Sequence, residues 1–507
     1  MEKKYFYAKK ERSGFTVRGL GKCRLGHVLD DKRGKPDGIY VSWRWDGQEL
    51  IVENDRYGFF PVYYSSFDRQ ICISPSIPRL IAEGAPVDIN EDALSVFFEL
   101  GYFIGNDTPF RHIHALPPNV EFRWNGELTC IGGYYTYGKT QSSITRDEAM
   151  DTYARLFSKS IRRRPPRDNK FAVPLSGGRD SRHILLELNE QGYKPSIVVT
   201  AQNYPNKQTE DVQIAGMLAR EMGLEHTILE QQASWFKSEV RKNIQTNLCS
   251  DEHAWLMVVA DYLKDRVDTV YDGIAGDSLS ESNFLNYERN HLYTSGNLIK
   301  LSENFLERAP VSRGFSRRAL HNILPSDLVP FVNRKRAEQH LLKELEKHIN
   351  APNPVNSFTL WNRGRREIAL VPFNLLSDIP TVYAPYLDHE LFDFLTSLPV
   401  EMLLTQDFHT ETIRRAYPAY AHIPFESKAS NKLDYDFHRV FAAFGRELTW
   451  YLLLQRPSRY MRNTFLRSAL LPSILSTRYS SFTRRFTTLA LYLQQLDTLS
   501  RGIKIRE

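Results

Sequence analysis

The sequence predicts an α/β protein in two parts: a β-rich α+β N-terminal part, then a doubly wound parallel sheet whose C-terminal region is helical. Three observations carry this. From Gly38 to about Tyr137, short alternating segments are broken by turns. From Phe171 onward, β-rich runs alternate with helical stretches, the pattern of βαβ units. After about Leu301 the apolar spacing is mainly helical. At 507 residues the chain exceeds one ordinary core, so two or three domains are expected.

In the N-terminal part the segments GIYVSWRWDGQELIVENDRYGFFPVYYSS, ICISPSIPRLIAEG and VEFRWNGELTCIGGYYTY read as strands and turns. The turns at Trp45-Asp46-Gly47 and Trp124-Asn125-Gly126 predict hairpins. Phe59, Phe60, Tyr63 and Tyr64 read as sheet core, because no basic residues interleave with them as they would on a nucleic-acid platform. A polar stretch, YGKTQSSITRDEA, leads to Thr145 and Glu148, a capping-box pair that starts a helix running to about Arg162. The boundary is placed there, giving parts 1–144 and 145–507. Beyond it, strands are expected at 171–175, 197–201, 225–229 and 269–271, with a helix over 209–223. Right-handed crossovers between parallel strands put ligands at their carboxyl ends. His226 reads as structural at a strand start, and His253 as an ordinary helix residue.

Hydrophobic residues make up 42% and charged residues 25%, the values of a globular chain, and no run approaches a membrane span. The first fourteen residues are charged throughout and lack the apolar core of a signal peptide, so a cytoplasmic location is expected. The four cysteines, Cys23, Cys72, Cys130 and Cys249, form no CxxC pair and have no histidine at ligand spacing. Buried free thiols are expected, not a zinc site or a disulfide framework. The net charge is +6, but residues 437–507 hold 12 Lys or Arg against 3 Asp or Glu, a helical segment expected to face an anionic partner or solvent.

The run KFAVPLSGGRDSRHILL (170–186) turns from a strand through Ser176-Gly177-Gly178 into a helix. Such a turn points backbone N–H groups at an anion, and the helix dipole adds favourable potential. It is neither a Walker A loop nor GxGxxG. An acidic Asp180 beside phosphates is repulsive unless a cation lies between, so Asp180 implies Mg²⁺; the alternative is a plain carboxylate on a helix dipole. Arg179 and Arg182 flank the loop, one as a candidate phosphate ligand and at least one as a solvated helix face.

SGGRDS resembles the SGGxDS pyrophosphate loop of the ATP pyrophosphatases, and its context is similar to the asparagine synthetase family over most of the chain. RYGFFPVYY (56–64), LPP (116–118) and the following GYY resemble that family's amidotransferase half. DVQIAGMLAREMGLEHTIL (211–229), YDGIAGD (271–277) and PYLDH (385–389) resemble its synthetase half. The resemblance implies an amidotransferase-like domain over 1–144 and an ATP-pyrophosphatase domain over 145–507. It implies ATP and Mg²⁺, with a carboxylate attacking the α-phosphate to give an acyl-adenylate and pyrophosphate, then an amine displacing AMP. Ser176, Gly177, Gly178, Asp180 and Ser181 would hold the pyrophosphate, joined by Gly273 and Gly276. Val199 and Thr200, after the next strand, would hold the adenine, and Asp180 and Asp277 would share the metal. Asp180, Asp277 and an active-site lysine would be catalytic, with Lys428 the match and Lys432 the alternative.

Two departures stand out. Residue 2 is Glu2 where glutamine-dependent members expose a cysteine, which predicts no glutaminase activity. Ile274 occupies the loop position of the family's base or its substitute. The implied partners are a small-molecule or peptide carboxylate and an amine donor, with a homodimer open and no ground for nucleic acid. Besides amide formation without glutamine hydrolysis, two readings stay open: an intramolecular macrolactam or β-lactam synthetase, as in lasso-peptide cyclases and β-lactam synthetases, and a non-catalytic nucleotide-binding descendant.

Overall fold

The computed structural model describes residues 4–29, 36–141, 143–202, 209–232, 234–282, 284–307, 322–427, 437–465 and 484–505. Strands β1 (Phe6–Glu11), β2 (Gly14–Gly19), β3 (Lys22–Leu29), β4 (Asp37–Trp45), β5 (Leu50–Asn54), β6 (Tyr63–Phe67), β7 (Gln70–Ser74), β8 (His114–Ala115), β9 (Val120–Trp124) and β10 (Leu128–Gly132) build the N-terminal domain. They form two sheets, ordered β2-β1-β7-β6-β8 and β10-β9-β5-β4-β3, and their pairs are antiparallel. One apolar cluster fills the space between them: Phe6, Ala8, Ile71 and Ile73 from the first sheet meet Val41, Trp43, Val52 and Phe122 from the second. The alternation in the sequence exists because one face of each sheet is buried there. Both expected hairpins form. In the first, the Asp46 carboxylate accepts from the Gln48 and Glu49 N–H groups, which holds its pKa below the usual range.

The N-terminal half also contains helices α1 (Ile77–Ala82) and α2 (Glu91–Leu100), which the β-rich pattern did not lead one to expect. Helix α2 starts where the Asn90 side chain accepts from the Ala93 N–H and stops at Gly101, whose φ of 86° leaves the helical region. Helix α3 (Arg146–Arg162) begins with the full capping box of Thr145 and Glu148.

The second sheet system comprises β11 (Phe171–Pro174), β12 (Ile197–Gln202), β13 (His226–Glu230), β14 (Thr269–Tyr271) and β15 (Thr381–Tyr383). Its order is β13-β12-β11-β14-β15 and every pairing is parallel. Helices α4 (Asp180–Glu190) and α5 (Glu210–Glu221) follow β11 and β12; α5 is capped by the Thr209 hydroxyl. Four strands fall within a residue or so of their expected positions, and β15 is a fifth that the sequence did not reveal. Successive strands step outward from β11 to β12 and β13, then return to its other side at β14. The switch point therefore lies between the carboxyl ends of β11 and β14, where open α/β sheets bind ligands.

The C-terminal region is helical as expected. The helix Arg484–Ser500 buries Leu489, Leu493 and Leu496 in a core shared with Phe97 and Phe98 of α2, and the Tyr492 ring stacks 4.8 Å from Phe97. Arg459, still half exposed, and Arg501 pair with the buried Asp497. Burial of the run of leucines between the arginines fixes this helix against α2.

A buried ion network ties the halves together. Arg164, 1% exposed, reaches Asp37 of β4 at 3.2 Å and Asp388 at 3.0 Å, and Arg163 reaches the same two carboxylates at 3.0 and 2.8 Å. The cysteines are free thiols. Cys72 and Cys249 are buried as expected, but Cys23 is half-buried and Cys130 exposed, because they sit on β3 and β10, the two edge strands of one sheet. Among the described residues, no helix is long and apolar enough to cross a membrane.

Candidate active site

The loop that follows β11 is held by its own polar groups. The Ser176 N–H donates to the Ser181 hydroxyl at 3.0 Å, the two serine hydroxyls lie 3.0 Å apart, and the Gly178 N–H reaches the Ser176 hydroxyl at 3.3 Å. The Gly177 N–H donates to the carboxylate of Asp211, in the first turn of α5, at 2.6 Å. The same turn that can present N–H groups to an anion thus has a carboxylate already in contact with one of them.

The loop after β14 meets it. The Asp277 N–H donates to Asp180 Oδ2 at 3.2 Å, which brings together two residues 97 positions apart in sequence. Gly273 and Gly276 make this approach feasible: a Cβ on Gly273 would lie 2.6 Å from the Asp180 Cβ, and one on Gly276 would lie 2.5 Å from Asp180 Oδ1. These glycines contact the Asp180 side chain, so their first structural task is to seat that carboxylate. Ala275 between them adopts φ 74°, the left-handed conformation that starts the short helix Gly276–Ser280.

Asp180 is electrostatically unsettled. Its carboxyl is held well above the usual range by burial, then by the nearby Asp277, with Glu281 adding to this and the Asp277 N–H and Arg179 opposing it. Its Oδ1 has no hydrogen-bond partner among the described residues and stands 3.4 Å from Nδ1 of His409, itself partnerless at that atom. Burial pushes the His409 imidazole down to about 3 and also pushes down His183, whose Nδ1 lies 3.2 Å from His409 Nε2, so both rings are neutral. The Tyr386 hydroxyl donates to the Asp180 carbonyl at 3.2 Å. Among the described residues no cation neutralises Asp180 directly: Arg179 pairs with Glu281 at 3.1 Å and donates to Thr410 at 2.7 Å.

These residues fit a divalent cation. A buried carboxylate oxygen without a partner, beside a second carboxylate, is the environment a cation would relieve. Among the described residues no group of three or more His, Cys, Asp or Glu is arranged to hold a metal. A pair of carboxylates suits Mg²⁺ only when phosphate and water oxygens complete the shell, which is how that ion commonly binds nucleotides.

The remaining expected residues fall differently. Val199 and Thr200 lie within β12, not after it. Val199 is fully buried, its carbonyl accepting from the Leu175 N–H, while the Thr200 hydroxyl donates to the Leu175 carbonyl at 2.7 Å and lies 2.7 Å from His226 Nε2. His226 is therefore structural, as expected. His253 is not inside a helix; it precedes the turn Ala254–Leu256 with φ 77°. Neither flanking arginine is a solvated face. Arg182 is 1% exposed, donates to the carbonyls of Ile423 and Pro424, and lies over the Phe425 ring at 3.9 Å; burial and Arg179 push its pKa down to about 10. Its work is to dock residues 423–425 beside the loop. The Glu426 N–H then donates to the Gly177 carbonyl at 2.9 Å, and burial with Asp211 pushes the Glu426 carboxyl up to about 7. Lys428 and Lys432 lie outside the described residues. Ile274 is buried in the main core, its N–H bonded to the Asp272 carboxylate.

Sequence reasoning missed His409, Tyr386 as a contact of Asp180, and Asp211 as a ligand of the loop. Only Asp211 and Tyr386 fell within motifs that had drawn attention; nothing local marks His409.

Residues 152–357 match the asparagine synthase family model, a span that contains both converging loops. Over 423 residues the chain is 20% identical to asparagine synthetase [glutamine-hydrolyzing] 1 of Bacillus subtilis (strain 168), covering 74% of this chain and 64% of that protein. The match thus spans less than two thirds of the curated relative's length. With the parallel sheet and its two loops, these similarities support a member of the asparagine synthetase family.

Proposed function

We propose that this protein is an ATP-dependent amide ligase that works through an acyl-adenylate and does not hydrolyse glutamine. The observation that carries this is the meeting of the Ser176–Ser181 loop and the Asp277 loop at the switch point of a parallel sheet, with a partnerless carboxylate oxygen between them. In the proposed reaction a substrate carboxylate oxygen bonds to the α-phosphorus of ATP and pyrophosphate departs. An amine then bonds to the acyl carbon, AMP departs, and the amine proton passes to solvent or a base. Ser176, Gly177, Gly178 and Ser181 hold the pyrophosphate, and Asp180 with Asp277 hold Mg²⁺. That ion would supply positive charge beside the departing pyrophosphate. The adenine rests near the end of β12, and Lys428 or Lys432 serves the transition state.

The division at residue 144 follows the same reading, with the N-terminal domain as a scaffold. Its thiols support this: burial pushes Cys23, Cys72 and Cys130 above the ordinary thiol range, which removes the thiolate a nucleophile needs. Glutamate release from glutamine is expected at the no-enzyme rate, and release above it overturns this part. A second reading, a non-catalytic nucleotide binder, is favoured by two features: Asp211 already occupies the Gly177 N–H, and Ile274 offers no base. Incubation with Mg-ATP and fractionated carboxylate and peptide pools, following AMP, decides between them. Substrate-dependent AMP is expected; nucleotide binding with no AMP from any pool supports the second reading.

A further inference from the structure

We infer that His409 is a positioning residue for Asp180: its Nδ1–H donates to Asp180 Oδ1 and aims the carboxylate at the cation, an inference that rests on the ligase reading above. His409 lies in the helix Phe408–Ala416, is fully buried, and its Nδ1 stands 3.4 Å from Asp180 Oδ1. Neither atom has another hydrogen-bond partner among the described residues. Asp180 and His183 are three residues apart in α4 and so share one helix face, and His409 reaches both from the opposing helix. The Tyr153 and Tyr386 rings pack around the imidazole, 5.4 and 5.8 Å away between centroids.

A neutral imidazole carries one N–H, and what surrounds each nitrogen decides where it sits. Burial keeps both histidines neutral. With the His409 proton on Nδ1, its Nε2 accepts from the His183 Nδ1–H at 3.2 Å, and the bare His183 Nε2 is the one ring nitrogen of the pair without a partner among the described residues. The reverse arrangement makes the His183 Nε2–H a buried orphan donor and aims a His409 lone pair at a carboxylate oxygen. Turning the His409 Nε2–H toward the Tyr386 hydroxyl, 3.4 Å away, still aims that lone pair at Asp180. Buried donors are left unpaired more rarely than acceptors, and two facing acceptors repel, so beside an ionised Asp180 the first arrangement is favoured. The Asp277 N–H already holds Oδ2 at 3.2 Å. One donor on each oxygen fixes the plane of the carboxylate, and each oxygen keeps a lone pair for a cation. Such outer hydrogen bonds to a metal's ligands are typically worth about 10- to 100-fold in metal affinity.

The test uses the full chain and the variants His409→Asn and His409→Gln. The Asn amide nitrogen falls near the place of the imidazole Nδ1 and the Gln amide nitrogen near that of Nε2, so only the first can donate to Asp180. Equilibrium dialysis reads the affinity for a non-hydrolysable ATP analogue with and without Mg²⁺. The gain in affinity that Mg²⁺ confers is expected to fall about 10- to 100-fold in His409→Gln and less than about threefold in His409→Asn, with the metal-free affinity unchanged in both. A role in packing alone predicts the reverse order, because Asn leaves the larger void and should lower the unfolding midpoint more. Equal gains in the two variants, or the smaller gain in His409→Asn, overturn the inference. NMR of the parent carrying isotope-labelled histidine gives a readout that stability does not move. With Mg²⁺ and the analogue, the His409 ring, assigned from its loss in either variant, should carry its proton on Nδ1, and a proton on Nε2 overturns the inference. A parent whose nucleotide affinity Mg²⁺ does not raise would overturn the ligase reading, and this role with it.

Discussion

The two sheet systems of this chain differ in what they leave at their edges. In the N-terminal sandwich neighbouring strands run in opposite directions, so hairpin turns such as Asp46–Glu49 scatter to both ends and satisfy themselves. In the parallel system all five strands end on one side, so the loops after β11 and β14 meet even though nearly a hundred residues separate them. Parallel topology gathers distant polar residues at one edge, and the partnerless oxygen of Asp180 lies at that edge. The N-terminal thiols, by contrast, are spread over core and edge strands and every one is pushed toward its inert neutral form.

The sharpest way to break this contrast is to disable one side alone. Asp180→Asn is expected to lower substrate-dependent AMP formation by about 10² to 10⁴, or roughly 3–5 kcal/mol of transition-state stabilisation, because it removes one of two charges placed to hold a cation beside a polyanion. Circular dichroism and thermal unfolding should show the fold retained. A variant turning over at nearly the parent rate would sink the metal assignment.

The junction between the halves comes next. Arg164→Ala leaves Asp37 and Asp388 buried with Arg163 as the one arginine still paired to them among the described residues, and the loss of one partner in a buried network costs about 3–5 kcal/mol. Denaturant unfolding is expected to shift by that amount and to separate into two transitions. A single unshifted transition would mean that the apolar contacts, not the ion network, hold the halves.

The halves should also respond differently to pH. Burial pushes the Asp272 carboxyl up to about 6 and, with Asp211, the Glu426 carboxyl up to about 7, and both flank the candidate site. The unfolded chain loses these protons near pH 4 while the folded chain keeps them, so the unfolded state binds fewer protons in between and stability falls as pH rises from about 4 through 7. The loss from Asp272 is at most about 3 kcal/mol, since two pKa units correspond to roughly 2.7. Asp272→Asn should flatten part of the fall without affecting the pH response of the N-terminal sandwich. An unchanged pH profile would place the titration elsewhere.

How much of this was legible in the sequence follows the same division between local and distant causes. The Ser176–Ser181 loop, the Thr145 capping box and the strands near 171, 197, 226 and 269 could be read because each is written in a few adjacent residues. Strand β15, three residues long among helices, carries too little pattern, and α1 and α2 were hidden in a stretch whose alternation suggested sheet. The candidate site was legible as a list and not as an arrangement. Nothing in the sequence says that Gly276 seats Asp180, that Arg182 docks residues 423–425, or that His409 lies beside the carboxylate, because these depend on which loops share a sheet edge. The basic C-terminal segment shows the converse: its charge is plain in the sequence, while the leucines that fix its position matter only once α2 is opposite them.

The smallest expected effect tests how the Asp277 loop is aimed. Ala275 adopts φ 74°, where a side chain costs about 1–2 kcal/mol that glycine would not incur, while glycine adds roughly 0.4–1 kcal/mol of unfolded-state entropy. These oppose each other, so Ala275→Gly should change stability by less than about 1 kcal/mol and leave AMP formation within a few-fold of the parent. Ala275→Val places a β-branched residue in the same conformation and should be the more damaging change, because any relaxation of φ moves the Asp277 N–H away from Asp180 Oδ2. The two variants thus separate backbone strain from side-chain chemistry at the loop. If the valine variant matched the glycine variant in both unfolding midpoint and turnover, the left-handed turn would not be what positions Asp277.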